Sequence, residues 1–192
     1  MTIPVVPSGS PLTEADFLAV RVAEQQHRAI KRAARIAAFS AVSTLGFAAI
    51  GVLITIFDFS LWSLIITVGL AVIGSVEFRG HQRLLRAEPA ACRTLALNQL
   101  AFLALITVYC VAQMLTFSAS ADLPTEYRQL LDAQMMQNLP KLVCGFYALV
   151  IVGSLAFQGG LALYYHTRRR RVEAFVRETP DWVRRQLLEL DR

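Results

Sequence analysis

Four apolar runs, residues 36–57, 61–78, 94–117 and 142–165, make up nearly half of the chain, and polar residues gather between and beyond them. The first run, Ile36 to Phe57, holds 22 residues. As a helix it would rise about 33 Å, enough to cross a hydrocarbon layer of roughly 30 Å. Only Asp58, Phe59 and Ser60 separate it from the second run, so the two predicted helices must turn straight back on each other. The second run, Leu61 to Phe78, is near the lower length limit for a span, and its helix is expected to continue into "RGHQRLLRAE" until Pro89 breaks it. The third run is Thr94 to Phe117; a polar loop, 118–141, separates it from the fourth, Leu142 to Tyr165. The pattern predicts an all-α integral membrane protein with four transmembrane helices in two antiparallel hairpins.

The flanks carry a different pattern. In "SPLTEADFLAVRVAEQQHRAIKRAAR", Phe17, Val20, His27 and Ile30 alternate with Arg21, Glu24, Arg28 and Lys31, which predicts a moderately amphipathic helix leading into the first span. Its start is signalled by Ser10 with Pro11, or by Thr13 with Asp16 three residues on. Residues 1–9 are expected to form a flexible arm. In the loop, Tyr127, Leu130, Leu131 and Met135 recur at helical spacing between prolines, predicting a short extracytoplasmic helix on the membrane surface. In the tail, Val172, Phe175 and Val176 share a helix face. Thr179, Pro180 and Asp181 signal a restart, and Trp182, Val183, Leu187 and Leu190 form the next apolar stripe. This amphipathic segment is expected to lie on the inner leaflet, to pack on the leader helix, or to bind a partner. The plan is thus a cytoplasmic arm and helix over 1–35, a four-helix bundle over 36–165 and a basic tail over 166–192.

Composition supports this reading. The chain is 55% hydrophobic and 17% charged, too apolar and too sparsely charged for an ordinary soluble domain. Its net charge is +5, and of 19 basic residues only Lys31 and Lys141 are lysines. The arginine excess reads first as coding bias and only second as a phosphate site. All but Arg128 and Lys141 fall in the leader, in the link carrying Arg79, Arg83, Arg86 and Arg93, or in the tail. Four spans put those three segments on one side, and the positive-inside rule makes that side cytoplasmic. The expected location is a bacterial-type inner membrane with both termini inside. Tyr164 and Tyr165 are expected at headgroup level. Arg168, Arg169, Arg170 and Arg171, with Trp182, form the predicted topology and lipid anchor, at about 1 kcal/mol per basic residue near anionic headgroups. Anionic lipid is therefore an expected partner. Nucleic acid is not, since no stacking aromatics interleave with the run. The opening "MTIPVVPSGSPLTEADF" lacks the features of a signal peptide, and neither end carries a lipidation motif, so insertion is expected to depend on the internal spans.

Polar side chains within apolar runs are where membrane function would show. Asn98, Gln99 and Gln113 lie in the third run, on or beside a face that includes Phe102, Ile106 and Tyr109; Gln158 lies in the fourth. Antiparallel neighbours would set Gln158 near Phe102, within reach of Asn98 or Gln99, and Gln113 opposite Tyr147. These amides are expected to join helices, at roughly 0.6 to 2 kcal/mol each, rather than to line a pore. Glu77 stands four residues before His81, near Arg79 and Arg83, and the four predict an ion cluster at the inner interface. No ionisable side chain is expected at mid-membrane, which disfavours a pump with a buried charge relay. Ser40, Thr44 and Ala48, and Ala156 with Gly160, have the spacing of close helix contacts.

Cys92, Cys110 and Cys144 form neither a disulfide framework nor a zinc motif, and no two histidines have metal-ligand spacing. No phosphate loop, nucleophile elbow or paired-carboxylate pattern occurs. No catalytic residue, cofactor or metal is therefore assigned. The leading expectation is a non-enzymatic membrane scaffold or accessory subunit that uses its basic cytoplasmic face for lipid or partner contacts; deleting 172–192 should then abolish binding while the bundle still inserts. The alternative is a homo-oligomeric channel or membrane-permeabilising protein lined by the polar face of the third span. A weaker third reading is a lipid-directed enzyme built on Glu77, His81 and His166.

Overall fold

The computed structural model describes residues 13–57, 59–118 and 133–189. Their secondary structure is five helices: α1 (Glu14–Phe57), α2 (Leu61–Leu85), α3 (Pro89–Thr116), α4 (Ala133–Glu178) and α5 (Asp181–Glu189). α1 to α4 are long and apolar enough to cross a membrane. α1 has 44 residues and α4 has 46, so each runs about 65–70 Å and overshoots a hydrocarbon core of roughly 30 Å. Leader and first span are thus one uninterrupted helix, and so are fourth span and first half of the tail.

Local signals account for the helix ends. Asp16 N–H donates to Thr13 Oγ1 at 3.3 Å and Thr13 N–H donates back to Asp16 Oδ2 at 2.9 Å, a reciprocal cap on α1. Ser60 caps α2 by accepting from Ser63 N–H at 3.0 Å. Between α2 and α3, Glu88 N–H bonds Arg83 O and Ala87 N–H bonds Leu84 O, closing the helix with Ala87 in the left-handed region at φ 55°. Pro89 then opens α3, where its missing N–H costs nothing.

α1 packs chiefly on α2 and α3 chiefly on α4, with a smaller contact joining α2 to α3. The hydroxyls of Thr55 and Ser63 meet at 2.6 Å at one end of α1 and α2, Ser40 reaches Glu77 midway, and His81 reaches Ala34 at the other end. The two helices therefore run in opposite directions. α3 and α4 do the same: Tyr109 meets Tyr147 at one end, and Arg93 shares a groove with His166 towards the other. The hydrophobic core sits at the basic end. It joins Ala23, Ile30 and Ala37 of α1, Leu84 of α2, Cys92 and Leu95 of α3, Tyr165, Val172 and Phe175 of α4, and Val183 of α5.

Some expectations change. The fourth helix does not start at Leu142. It begins at Ala133 and carries on across Pro140, which removes one backbone donor and crowds the carbonyl one turn back without ending the helix, so Met135 belongs to α4 and not to a separate surface helix. Tyr127, Arg128, Leu130 and Leu131 lie outside the described residues, as do the 1–9 arm, Ser10, Pro11, Asp58 and Leu190. Of the three placements open to the tail, α5 takes the packing on α1, with Val183 buried in the core and Trp182 and Leu187 resting against it. Trp182 is thereby drawn onto protein, because its stripe meets the apolar stripe of the leader. Arg184 fastens the turn, donating to Val176 O at 2.9 Å and to Asp181 Oδ1 at 2.6 Å.

Candidate functional site

Glu77 is the one carboxylate within the four predicted spans. α2 holds it fully buried, 0% exposed, at a point to which all four long helices contribute. Ser40 of α1 donates its hydroxyl to Glu77 Oε1 at 3.0 Å, and Thr44, one turn further along α1, faces the same carboxyl group. Gln99 of α3 donates Nε2–H to Oε1 as well. Tyr165 of α4, also 0% exposed, lies near Glu77. Among the described residues Glu77 Oε2, Gln99 Oε1 and the Tyr165 hydroxyl have no hydrogen-bond partner. Asn98 adds a second tie from α3 to α2, donating Nδ2–H to Ile73 O at 3.0 Å.

This arrangement collects hard oxygen atoms around a single carboxyl group. It ties α1, α2 and α3 together at a buried polar point. Among the described residues no three His, Cys, Asp or Glu side chains gather as a transition-metal site would need.

The four residues of the predicted interfacial cluster are not brought together. Glu77 turns into the bundle and Arg79 faces outward. His81 Nδ1 meets Ala34 O at 2.8 Å, and since a carbonyl only accepts, that nitrogen carries the proton. Arg83 sits 3.8 Å from Glu88. Glu77 and His81 stand four residues apart on α2, but α1 supplies the partner of each: Ser40 for Glu77 and the Ala34 carbonyl for His81. His166, the third member of the enzyme reading, lies on the α3–α4 surface away from both.

The polar face of the third run is likewise divided. Asn98 and Gln99 are buried and bonded to α2. Tyr109 packs edge-on to Tyr147, ring centres 6.2 Å apart. Gln113 lines a groove of about 620 Å³ between α1, α2 and α3, whose other walls include Phe47, Ile54, Trp62, Ile66, Phe102 and Ile106. Gln158 is buried, on the same α4 face as Ala162 and Tyr165, with Oε1 unpartnered among the described residues. Gln99 spends its amide donor on Glu77 instead.

Of the predicted anchor, Arg169, Arg170 and Arg171 are exposed, and Arg168 stacks 4.9 Å above the Tyr164 ring. Arg169 Nε pairs with Glu173 Oε1 at 2.7 Å. Tyr165 is not at a surface: it faces the core, one position round the helix from Tyr164. Sequence reasoning treated Ser40 and Thr44 as spacing residues and Tyr165 as an interfacial ring. For Tyr165 a signal was there in part, since Gln158, Ala162 and Tyr165 recur at steps of four and three and so share a face.

The fold and site define a class: an all-helical protein with four helices able to cross a membrane. Compared with protein-family models, curated proteins and solved structures, the chain finds no match in any of the three.

Proposed function

We propose that this chain is a four-span protein of a bacterial-type inner membrane, built as two antiparallel hairpins with both ends cytoplasmic. In this reading it acts as a non-enzymatic scaffold or accessory subunit, through contacts with lipid and with a partner. The carrying observation is a contrast between glycines. Those of α2 are filled from within: a methyl on Gly74 would stand 2.8 Å from Leu45, and one on Gly80 2.5 Å from Leu95. On α4, Gly145, Gly153 and Gly160 recur on one stripe with Ala156, and a methyl on any of the three glycines would meet nothing within 4 Å. Such thin stripes let a further helix approach closely. Only 6% of the most apolar stretch of α4 is buried, against 22% in α2 and in α3.

The test is native mass spectrometry of the protein taken from its host membrane into lipid nanodiscs, with Gly153→Leu beside the wild type. A dimer or a defined second polypeptide, lost in Gly153→Leu, supports the accessory role. A closed ring of many copies would shift the weight to a channel, and an unchanged monomer in both would remove the docking stripe. Topology is checked by single-cysteine labelling: Ser60→Cys should react from outside and Arg86→Cys only from inside. Deleting 172–192 is a poor test, since it removes Val172, Phe175 and Val183 from the core.

A further inference from the structure

We infer that the groove between α3 and α4 at their basic end binds one anionic phospholipid, its phosphate on Arg93 and Arg169 and an acyl chain along Leu97, Leu100 and Leu163. This deepens the reading above, because it takes that end to face the inner leaflet. The groove measures about 420 Å³ and its chemistry is graded. On α3, Arg93 is followed one and two turns further into the apolar run by Leu97 and Leu100. On α4, which runs the other way, Arg169 and His166 are followed by Leu163 and Gly159. Both walls therefore set their cations at the same end and their leucines at the other. Arg169 to Gly159 spans about 15 Å of helix, the reach from a headgroup to the upper acyl chain.

The cationic end has donors to spare. Among the described residues no carboxylate pairs with Arg93. Arg169 uses Nε on Glu173, which leaves its two terminal nitrogens for an anion. The apolar end has room: a Cβ at Gly159 would meet nothing within 4 Å, and Ala162 keeps the floor low. A free phosphate would use only the arginines and a neutral lipid only the leucines. An anionic phospholipid uses both, and basic grooves between spans on the cytoplasmic side suit such headgroups.

The experiment is native mass spectrometry of the full chain in neutral detergent, with added phosphatidylglycerol, phosphatidylcholine or glycerol phosphate. The wild type should retain one phosphatidylglycerol in preference to phosphatidylcholine. Arg93→Gln and Arg169→Gln should each weaken that retention about fivefold. Gly159→Phe should weaken it with all charges in place. Arg170→Gln, next in the basic run but outside the groove, should not change it. Equal loss in Arg170→Gln and Arg93→Gln would mean diffuse attraction to the basic run and would overturn the site. So would competition by glycerol phosphate at the lipid's own concentration. Loss of headgroup preference with partner association intact removes this site alone. Arg93-dependent lipid retention without any partner removes the accessory reading alone.

Discussion

Phe175 and Phe157 lie on the same helix and have the same side chain, yet Phe175 is 0% exposed and Phe157 63%. Phe175 stacks on His27 of α1, ring centres 5.7 Å apart, within a core that draws on all five helices. Phe157 stands outward among Leu149, Val152, Leu155 and Leu163, all more than half exposed. The basic end is packed as a water-soluble protein is packed; the spans stay open. Water drives apolar side chains onto each other, whereas lipid tails solvate them as well as a neighbouring helix does. The boundary between the two regimes falls near Glu77, where polar contacts take over from apolar packing in holding the helices together.

The largest test of that contrast is Phe175→Ala against Phe157→Ala. The first should lose about 3–5 kcal/mol of unfolding free energy and the second, in lipid, less than about 0.5. Denaturant unfolding in mixed micelles, followed with hydrogen exchange over α5, reads both. Similar losses would mean that Phe157 is covered by a partner or a second copy.

Next come the small positions. Gly80→Ala should destabilise by about 1–3 kcal/mol, because the methyl must displace Leu95, whereas Gly153→Ala should leave the isolated chain as stable or slightly more so. If Gly153→Ala lowers stability only where the protein self-associates, the open stripe is an interface.

The polar boundary should respond in its own way. Gln99→Leu strips a donor from a buried carboxyl group and should cost about 1–3 kcal/mol; Gln113→Leu, in the outer groove, should fall within about 0.5. Glu77→Gln keeps an oxygen for Ser40 and Gln99 and adds a donor towards the unpartnered Gln99 oxygen, so it should fold at least as well as wild type. Marked destabilisation by Glu77→Gln would show that the network needs the carboxyl group itself.

The smallest effect is expected at Ala87→Gly. Relief of the left-handed conformation, about 1 kcal/mol, nearly offsets the loss of a buried methyl, about 0.8 kcal/mol. A change beyond about 0.5 kcal/mol either way would show that one of the two is wrongly weighted.

Much of the architecture was legible in the order of residues. Run length and hydropathy mark the four long helices, and Thr13 with Asp16, Ser60, Pro89 and Thr179–Asp181 mark where helices begin or break. The turn at Ala87 was not legible, since glycine usually signals that conformation and alanine stands there. The predicted cluster of Glu77, Arg79, His81 and Arg83 failed for a related reason. Spacing along one helix says which side chains are neighbours on its surface; it does not say that α1 brings Ser40 and the Ala34 carbonyl closer than either arginine.

Hydropathy and helical period are properties of consecutive residues, so the chain by itself determined four long helices, their breaks and the gathering of arginines at one end. Which amide meets which carboxyl group depends on the rotation and register of helices against each other. Only the tertiary structure decided that Glu77 and Tyr165 face inward, that α5 folds onto α1, and that one face of α4 is left open. Those outcomes rest on side-chain contacts between residues far apart in the chain, and no local pattern encodes them.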